Sequence, residues 1–172
     1  MSSLPAMQTG LSNAAEPYAL QVEDRALIEE EMRHYADPRA ASIGALKIVQ
    51  KRHGWVPDAA IPAIGHLLGI PASDVEGVAT FYNLIFRRPV GRHVIKVCDS
   101  VACFLTGYEE VRDAICRKLG AGLGESTRDG RFTLLPICCL GACDKGPTLM
   151  IDEDTYFDVS PQDVARLLER YP

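Results

Sequence analysis

Nowhere in this chain do two cysteines stand in the C-x-x-C spacing, and no histidine lies in either segment where its cysteines gather. The first absence removes a thioredoxin-type dithiol and leaves structural zinc without its usual close pairs. The second removes a Rieske centre, in which two histidines replace two cysteines. Lysine and arginine are outnumbered, 18 against 23 aspartates and glutamates, for a net charge of −5. A chain with no basic surplus is a poor general binder of nucleic acid, which requires cations to displace counterions. No apolar run approaches the roughly 18 residues that a transmembrane helix requires. The start, Met1-Ser2-Ser3-Leu4-Pro5, has neither a basic n-region nor an apolar h-region, and lacks the arginines of a transit peptide. The chain is therefore expected to stay in the cytoplasm. In that reducing compartment, six cysteines read as metal-binding or redox residues rather than a disulfide frame.

What is present fits an α/β (α+β) protein with a helical prefix. Residues 1–22 mix Ser, Gly, Pro, Ala and Asn without periodicity and read as a flexible tail. From Glu23 to about Phe81 the spacing predicts four short amphipathic helices separated by Pro- and Gly-marked turns, a helical bundle over 23–88. Ser73 and Glu76 match a capping box at the start of the fourth. The apolar stretch Thr80 to Phe86 is read as the join that packs this bundle on the next unit. Arg87-Arg88 is read as a solvated edge, and His53, His66 and His93 as structural histidines with no second ligand at helical spacing.

After Pro89-Val90-Gly91 the period changes. Residues 89–172 read β-α-β-β-β-α, a small mixed sheet flanked by helices. The strands begin with His93–Val97 and Arg131–Ile137, followed by a hairpin around Asp152-Glu153-Asp154. Ser160 and Pro161 open the last helix. Gly120 to Gly124 is no dinucleotide fingerprint, since it follows a helix rather than a strand.

The two leading strands each run into a cysteine-bearing turn: Cys98-Asp99-Ser100-Val101-Ala102-Cys103 and Cys138-Cys139-Leu140-Gly141-Ala142-Cys143. Two turns at one end of a sheet can bring four thiolates together, and cysteine sulfur selects zinc, copper(I) or iron–sulfur clusters over hard cations. In the second turn Cys139 is preferred to Cys138, because Leu140-Gly141-Ala142 forms a tight loop that aims two sulfurs at one centre. Cys138 then becomes the last strand residue, pointing the other way, and Cys116 a small buried hydrophobe in a helix. Two pairs suit a 2Fe–2S rhomb with one iron on each; zinc and a disulfide switch stay open as alternatives.

At these residues the sequence resembles the thioredoxin-like 2Fe–2S ferredoxins, and among them the E-subunit family of bacterial NADH:quinone oxidoreductase (respiratory complex I). The likeness runs from Gly54-Trp55-Val56-Pro57 and Gly77 to Tyr82, through Val97 to Cys103 and Cys139 to Pro147, into the acidic hairpin. It implies a thioredoxin-like domain over 89–172, and a 2Fe–2S cluster held by Cys98, Cys103, Cys139 and Cys143. It also implies that Cys116 and Cys138 are not ligands. By the same resemblance the chain is an electron-transfer subunit without catalysis of its own, a side pocket for single electrons. NADH and FMN are bound by the partner F subunit, and the G subunit of the peripheral arm is a further neighbour. Membrane association comes only through the complex, on the cytoplasmic side. Related modules in NAD-linked hydrogenases and formate dehydrogenases are the first alternative, and a zinc-stabilised scaffold without redox function the second. The helical bundle and the Phe81 to Phe86 join are the expected contact surface for the flavoprotein.

Overall fold

The computed structural model describes residues 18–172. Most of the expected tail therefore lies outside the described residues, but its last part does not behave as a tail. Tyr18 and Leu20 pack on the helical core, and Tyr18 Oη lies 2.7 Å from His53 Nε2. Apolar side chains at alternate positions of an extended segment give it something to bury.

The first half is helical: α1 (Val22–Met32), a 3-10 turn (Pro38–Ala41), α2 (Ser42–His53), α3 (Ala60–Leu68) and α4 (Ala72–Phe81). Their inward stripes, with Ile28, Leu46, Val49, Ile64 and Val75 all fully buried, form one core. Gly54 and Gly69 end α2 and α3 in the left-handed conformation, at φ 78° and 68°, which glycine adopts without a Cβ clash.

Three expectations fail here. The capping box does not form: α4 starts at Ala72 with Pro71 as its cap residue, and no side chain caps it. Ser73 thus falls inside the first turn, and the Glu76 carboxylate accepts from Arg87 at 2.8 Å instead of reaching back. Arg87 is no solvated edge either. It donates to the Val56 carbonyl at 2.6 Å and to Asp58 at 2.8 Å, closing the chain segment after α4 onto the turn before α3. Its neighbour Arg88 is exposed, so the solvated-edge reading holds for Arg88 alone. The join itself also departs from expectation. Only Ile85 is buried, whereas Phe81 is 80% exposed and Tyr82 and Leu84 lie outside the core.

The second half contains β1 (His93–Cys98), α5 (Val101–Leu105), α6 (Tyr108–Leu119), β2 (Phe132–Ile137), a 3-10 turn (Cys143–Lys145), β3 (Leu149–Ile151), β4 (Asp154–Tyr156) and α7 (Asp163–Leu168). The sheet order is β2-β1-β3-β4. β1 runs parallel to β2, with His93 opposite Phe132 and Cys98 opposite Ile137, and antiparallel to β3. A parallel neighbour demands a crossover, and α5 and α6 supply it. Ile95, Val97, Leu134, Leu149 and Ile151 face a second core with Val111 and Ile115 of α6 and Val164, Leu167 and Leu168 of α7. α7 starts at Asp163 with Gln162 as its cap residue, so Ser160 and Pro161 lie in the turn before the helix rather than opening it. There the Asp163 carboxylate accepts from the Ser160 amide at 3.1 Å and from its hydroxyl at 2.6 Å.

Candidate metal centre

β1 and β2 end side by side, and everything at the site follows from that register. Cys98 and Ile137 close the parallel ladder. The Asp99 amide then donates to the Ile137 carbonyl at 3.1 Å, so the two strands part only beyond this point. Both cysteine turns consequently leave from adjacent carboxyl ends of the sheet. That is where open α/β sheets leave a crevice for ligands.

The first turn is more ordered than expected. Residues 101–105 form the five-residue helix α5 after extended Ser100, and the helical turn brings Cys103 inward. Cys98 and Cys103 are both 2% exposed. Thr106 Oγ1 donates back to the Ala102 and Cys103 carbonyls, at 3.0 and 3.2 Å, and fixes the end of the turn. The second turn stays open to solvent: Cys138, Cys139 and Cys143 are exposed. Gly141 sits at φ 83°, a conformation that suits glycine, and its amide donates to Cys139 Sγ at 3.3 Å. Cys139 Sγ and Cys143 Sγ are 3.7 Å apart.

The two turns are locked together. The Cys98 amide donates to the Thr148 carbonyl at 3.1 Å, and Thr148 Oγ1, on a buried residue, donates to the Lys145 carbonyl at 3.1 Å. Gly146 lies so close to the first turn that a Cβ there would stand 3.3 Å from Cys103 Sγ and 2.7 Å from Thr106 Oγ1. The Gly146–Pro147 peptide is cis.

The thiols feel one another. Burial pushes the Cys103 thiol up, followed by the neighbouring Cys98 thiol, while Thr148 opposes with hydrogen bonds. Cys143 is pushed up first by its hydrogen bond and charge interaction with Cys139, with a smaller contribution from Cys98. Sulfurs that resist ionising beside each other are a site waiting for positive charge, since a bound metal ion inverts that balance. The arrangement is pairwise. Among the described residues, no three Cys, His, Asp or Glu side chains form a group closed around a single ion. Two soft thiol pairs, a backbone N–H aimed at one sulfur and a Cβ-free approach to another all suit a 2Fe–2S group.

The other expected positions sort as follows. Cys138 follows the last residue of β2, is exposed, and contributes its carbonyl at 3.9 Å from Cys98 Sγ. Cys116 is half-buried on α6 against the core. His93 pairs with Asp152 at 2.7 Å, far along the sheet from the cysteine turns. Sequence reasoning missed Thr106 and Thr148, polar residues at the edges of the turns whose spacing carries no signal. It also missed the exposed apolar rim of α5: Val101 at 71%, Phe104 at 51% and Leu105 at 79%. The visible clue is an apolar cluster beside a cysteine with no periodic partner.

With the geometry in place, comparison with known proteins gives a consistent picture. The family model for thioredoxin-like [2Fe-2S] ferredoxins matches residues 28–172. The chain is 67% identical over 154 residues to the NADH-quinone oxidoreductase E subunit of Pseudomonas aeruginosa, covering 90% of this chain and 93% of that one. It is 63% identical over 156 residues to the protein of the same name from Escherichia coli K12, covering 91% and 94%. Among solved structures, an NAD+-reducing [NiFe]-hydrogenase in the air-oxidized state aligns with a TM-score of 0.61 at 20% identity. That alignment covers 78% of this chain but only 22% of the hydrogenase chain, and it speaks to the fold alone.

Proposed function

Since the chain belongs to the thioredoxin-like [2Fe-2S] ferredoxin family, we propose that it serves as the E-type electron-transfer subunit of an NADH:quinone oxidoreductase. Cys98, Cys103, Cys139 and Cys143 hold its single 2Fe–2S cluster, one pair to each iron. The observation that carries this reading is the pairing itself: two cysteine turns leave adjacent parallel strands and are tied by Cys98, Thr148 and Lys145. When bound, the cluster supplies a one-electron store.

The protein's own residues set the conditions around that store. Cys98 and Cys103 are buried, so one side of the site is closed to water. Cys139 and Cys143 lie at the surface, so the other side offers a short path to a partner. The Gly141 amide points at Cys139 Sγ and stabilises negative charge there. Burial of the first pair and N–H donation to the second act on the potential in opposite senses. Residues 23–88 form a helical unit and 89–172 the ferredoxin unit, a division supported by the two separate cores.

NADH and FMN belong to the partner flavoprotein, the F subunit, with the G subunit as a further neighbour. The chain takes part in an oxidoreductase and catalyses nothing unaided. Exposed Phe81, Tyr82 and Leu84, and the α5 rim, support a life in an assembly, because isolated monomers rarely expose such clusters. Among the described residues no helix is long and apolar enough to cross a membrane. Attachment through the complex on the cytoplasmic side accords with that.

The test is to purify the chain with its partners, count metal and sulfide, and identify the flavoprotein that accompanies it. Iron and labile sulfide in equal amounts, about two of each per chain, with a flavin-bearing companion, is the expected result. Colourless material holding zinc and no sulfide refutes it.

A further inference from the structure

The two cysteine pairs differ in their exposure to solvent, and so in their exposure to dissolved oxidants. Cys98 and Cys103 are buried, whereas Cys139 and Cys143 are exposed and already stand with sulfurs 3.7 Å apart. A disulfide needs the sulfurs at about 2.05 Å, so the exposed pair must close by roughly 1.6 Å. Three residues separate the two, and Gly141 in the left-handed conformation gives their loop its tight turn. The Gly141 amide holds Cys139 Sγ on the side facing Cys143. We propose that Cys139 and Cys143 are a site of reversible oxidative modification: in the cluster-free chain they form a disulfide that blocks cluster insertion until it is reduced. The inference rests on the reading of this pair as cluster ligands, since the lock works by consuming both sulfurs.

The oxidant is a peroxide, taken here as hydrogen peroxide. Cys139 sulfur attacks one peroxide oxygen; an S–O bond forms, the O–O bond breaks and one water leaves. Cys143 sulfur then attacks Cys139 sulfur; the S–S bond forms, the S–O bond breaks and a second water leaves. Two thiols are oxidised by one electron each, one peroxide is reduced by two, and the thiol protons end in water. Cys98 and Cys103 stay reduced because protein surrounds them. Cys138, although exposed, sits next to Cys139 in sequence, where a disulfide would strain the intervening peptide.

The experiment uses the full chain, freed of metal under reducing conditions and then treated with one equivalent of hydrogen peroxide. Thiols are blocked, the chain is digested, and cross-linked peptides are mapped by mass spectrometry. In parallel, treated, untreated and dithiothreitol-rescued samples receive ferrous iron and sulfide, with uptake read by visible absorption and iron count. The inference expects loss of two thiols, a bridge from Cys139 to Cys143, at least tenfold lower iron uptake, and full recovery on reduction. The Cys138→Ser variant should behave identically, and the Cys143→Ser variant should form no such bridge. A Cys98–Cys103 bridge, or a bridge from Cys138, overturns the site assignment and leaves the ligand reading intact. Oxidised chain that loads iron as readily as reduced chain overturns the lock. Failure of the reduced chain to load any iron removes the ligand reading itself, and the lock with it.

Discussion

Replacing Gly146 by alanine should destabilise the protein and loosen its hold on iron together. Gly146 has φ −78° and ψ 154°, which alanine adopts freely, so the backbone is not the issue. The effect is steric. The new Cβ would stand 2.7 Å from Thr106 Oγ1, 3.3 Å from Cys103 Cα and 3.3 Å from Cys103 Sγ. Thr106 cannot simply swing away without giving up its bonds to the Ala102 and Cys103 carbonyls. Cys103 is buried, so its backbone has to shift against the core. Overpacking of this kind costs about 1–3 kcal/mol. The lost chain entropy of glycine returns about 0.4–1 kcal/mol, leaving a net loss on the order of 1–2 kcal/mol. Gly77, within α4, is the internal control: a Cβ there meets nothing within 4 Å, and alanine should stabilise by about 0.5–1 kcal/mol. Denaturant unfolding of the reduced, metal-free chain gives the stabilities, and iron release to a chelator from the loaded chain gives retention. Gly146→Ala should lose on both measures, and Gly77→Ala should gain stability with iron release unchanged. A Gly146→Ala variant as stable as its parent, with unchanged iron release, would show free space beside the Cys103 sulfur and refute the packing of one turn on the other.

Two other outcomes follow from the hydrogen-bond pattern. Arg87→Ala should cost about 2 kcal/mol in denaturant unfolding, chiefly because the carbonyl of buried Val56 loses its charged donor. Its partners Asp58 and Glu76 are 91% and 44% exposed and add little, so Asp58→Ala alone should be nearly neutral. Tyr171 donates to Asp154 at 2.6 Å, and burial followed by that carboxylate pushes its phenol above the ordinary value of 10.0. A folded-state value raised above the unfolded one means that the native chain keeps a proton the unfolded chain gives up. The stabilisation is complete below pH 10 and drains away as pH rises beyond it. Melting temperature against pH should therefore fall above about pH 10, and Tyr171→Phe should flatten that fall.

Much of this molecule is legible in its residues. β-branched runs reveal β1 and β2, and apolar periodicity reveals α2 and α3, because those signals come from burial and burial dominates there. The two cysteine turns are legible too, since their strand ends place them at one edge of the sheet, where the structure puts them. What escapes depends on contacts distant in sequence. Glu76 fits a capping box by spacing, but Arg87, eleven residues on, takes its carboxylate. Arg87 itself reads as a surface charge until the Val56 carbonyl is seen to face it. α5 is too short to show a period, so the helical turn that buries Cys103 reads as a loop. Phe81 reads as part of a packed join on hydrophobicity alone, which cannot tell a core residue from one that faces a partner.

The most direct test is the electron paramagnetic resonance spectrum of the dithionite-reduced chain, recorded for six single alanine variants of its cysteines. Alanine is preferred because a serine oxygen can still ligate iron. The 2Fe–2S signal should vanish in Cys98→Ala, Cys103→Ala, Cys139→Ala and Cys143→Ala, and persist in Cys116→Ala and Cys138→Ala. A signal that survives unchanged in any of the first four, or disappears in Cys138→Ala, would contradict the assignment of the two pairs.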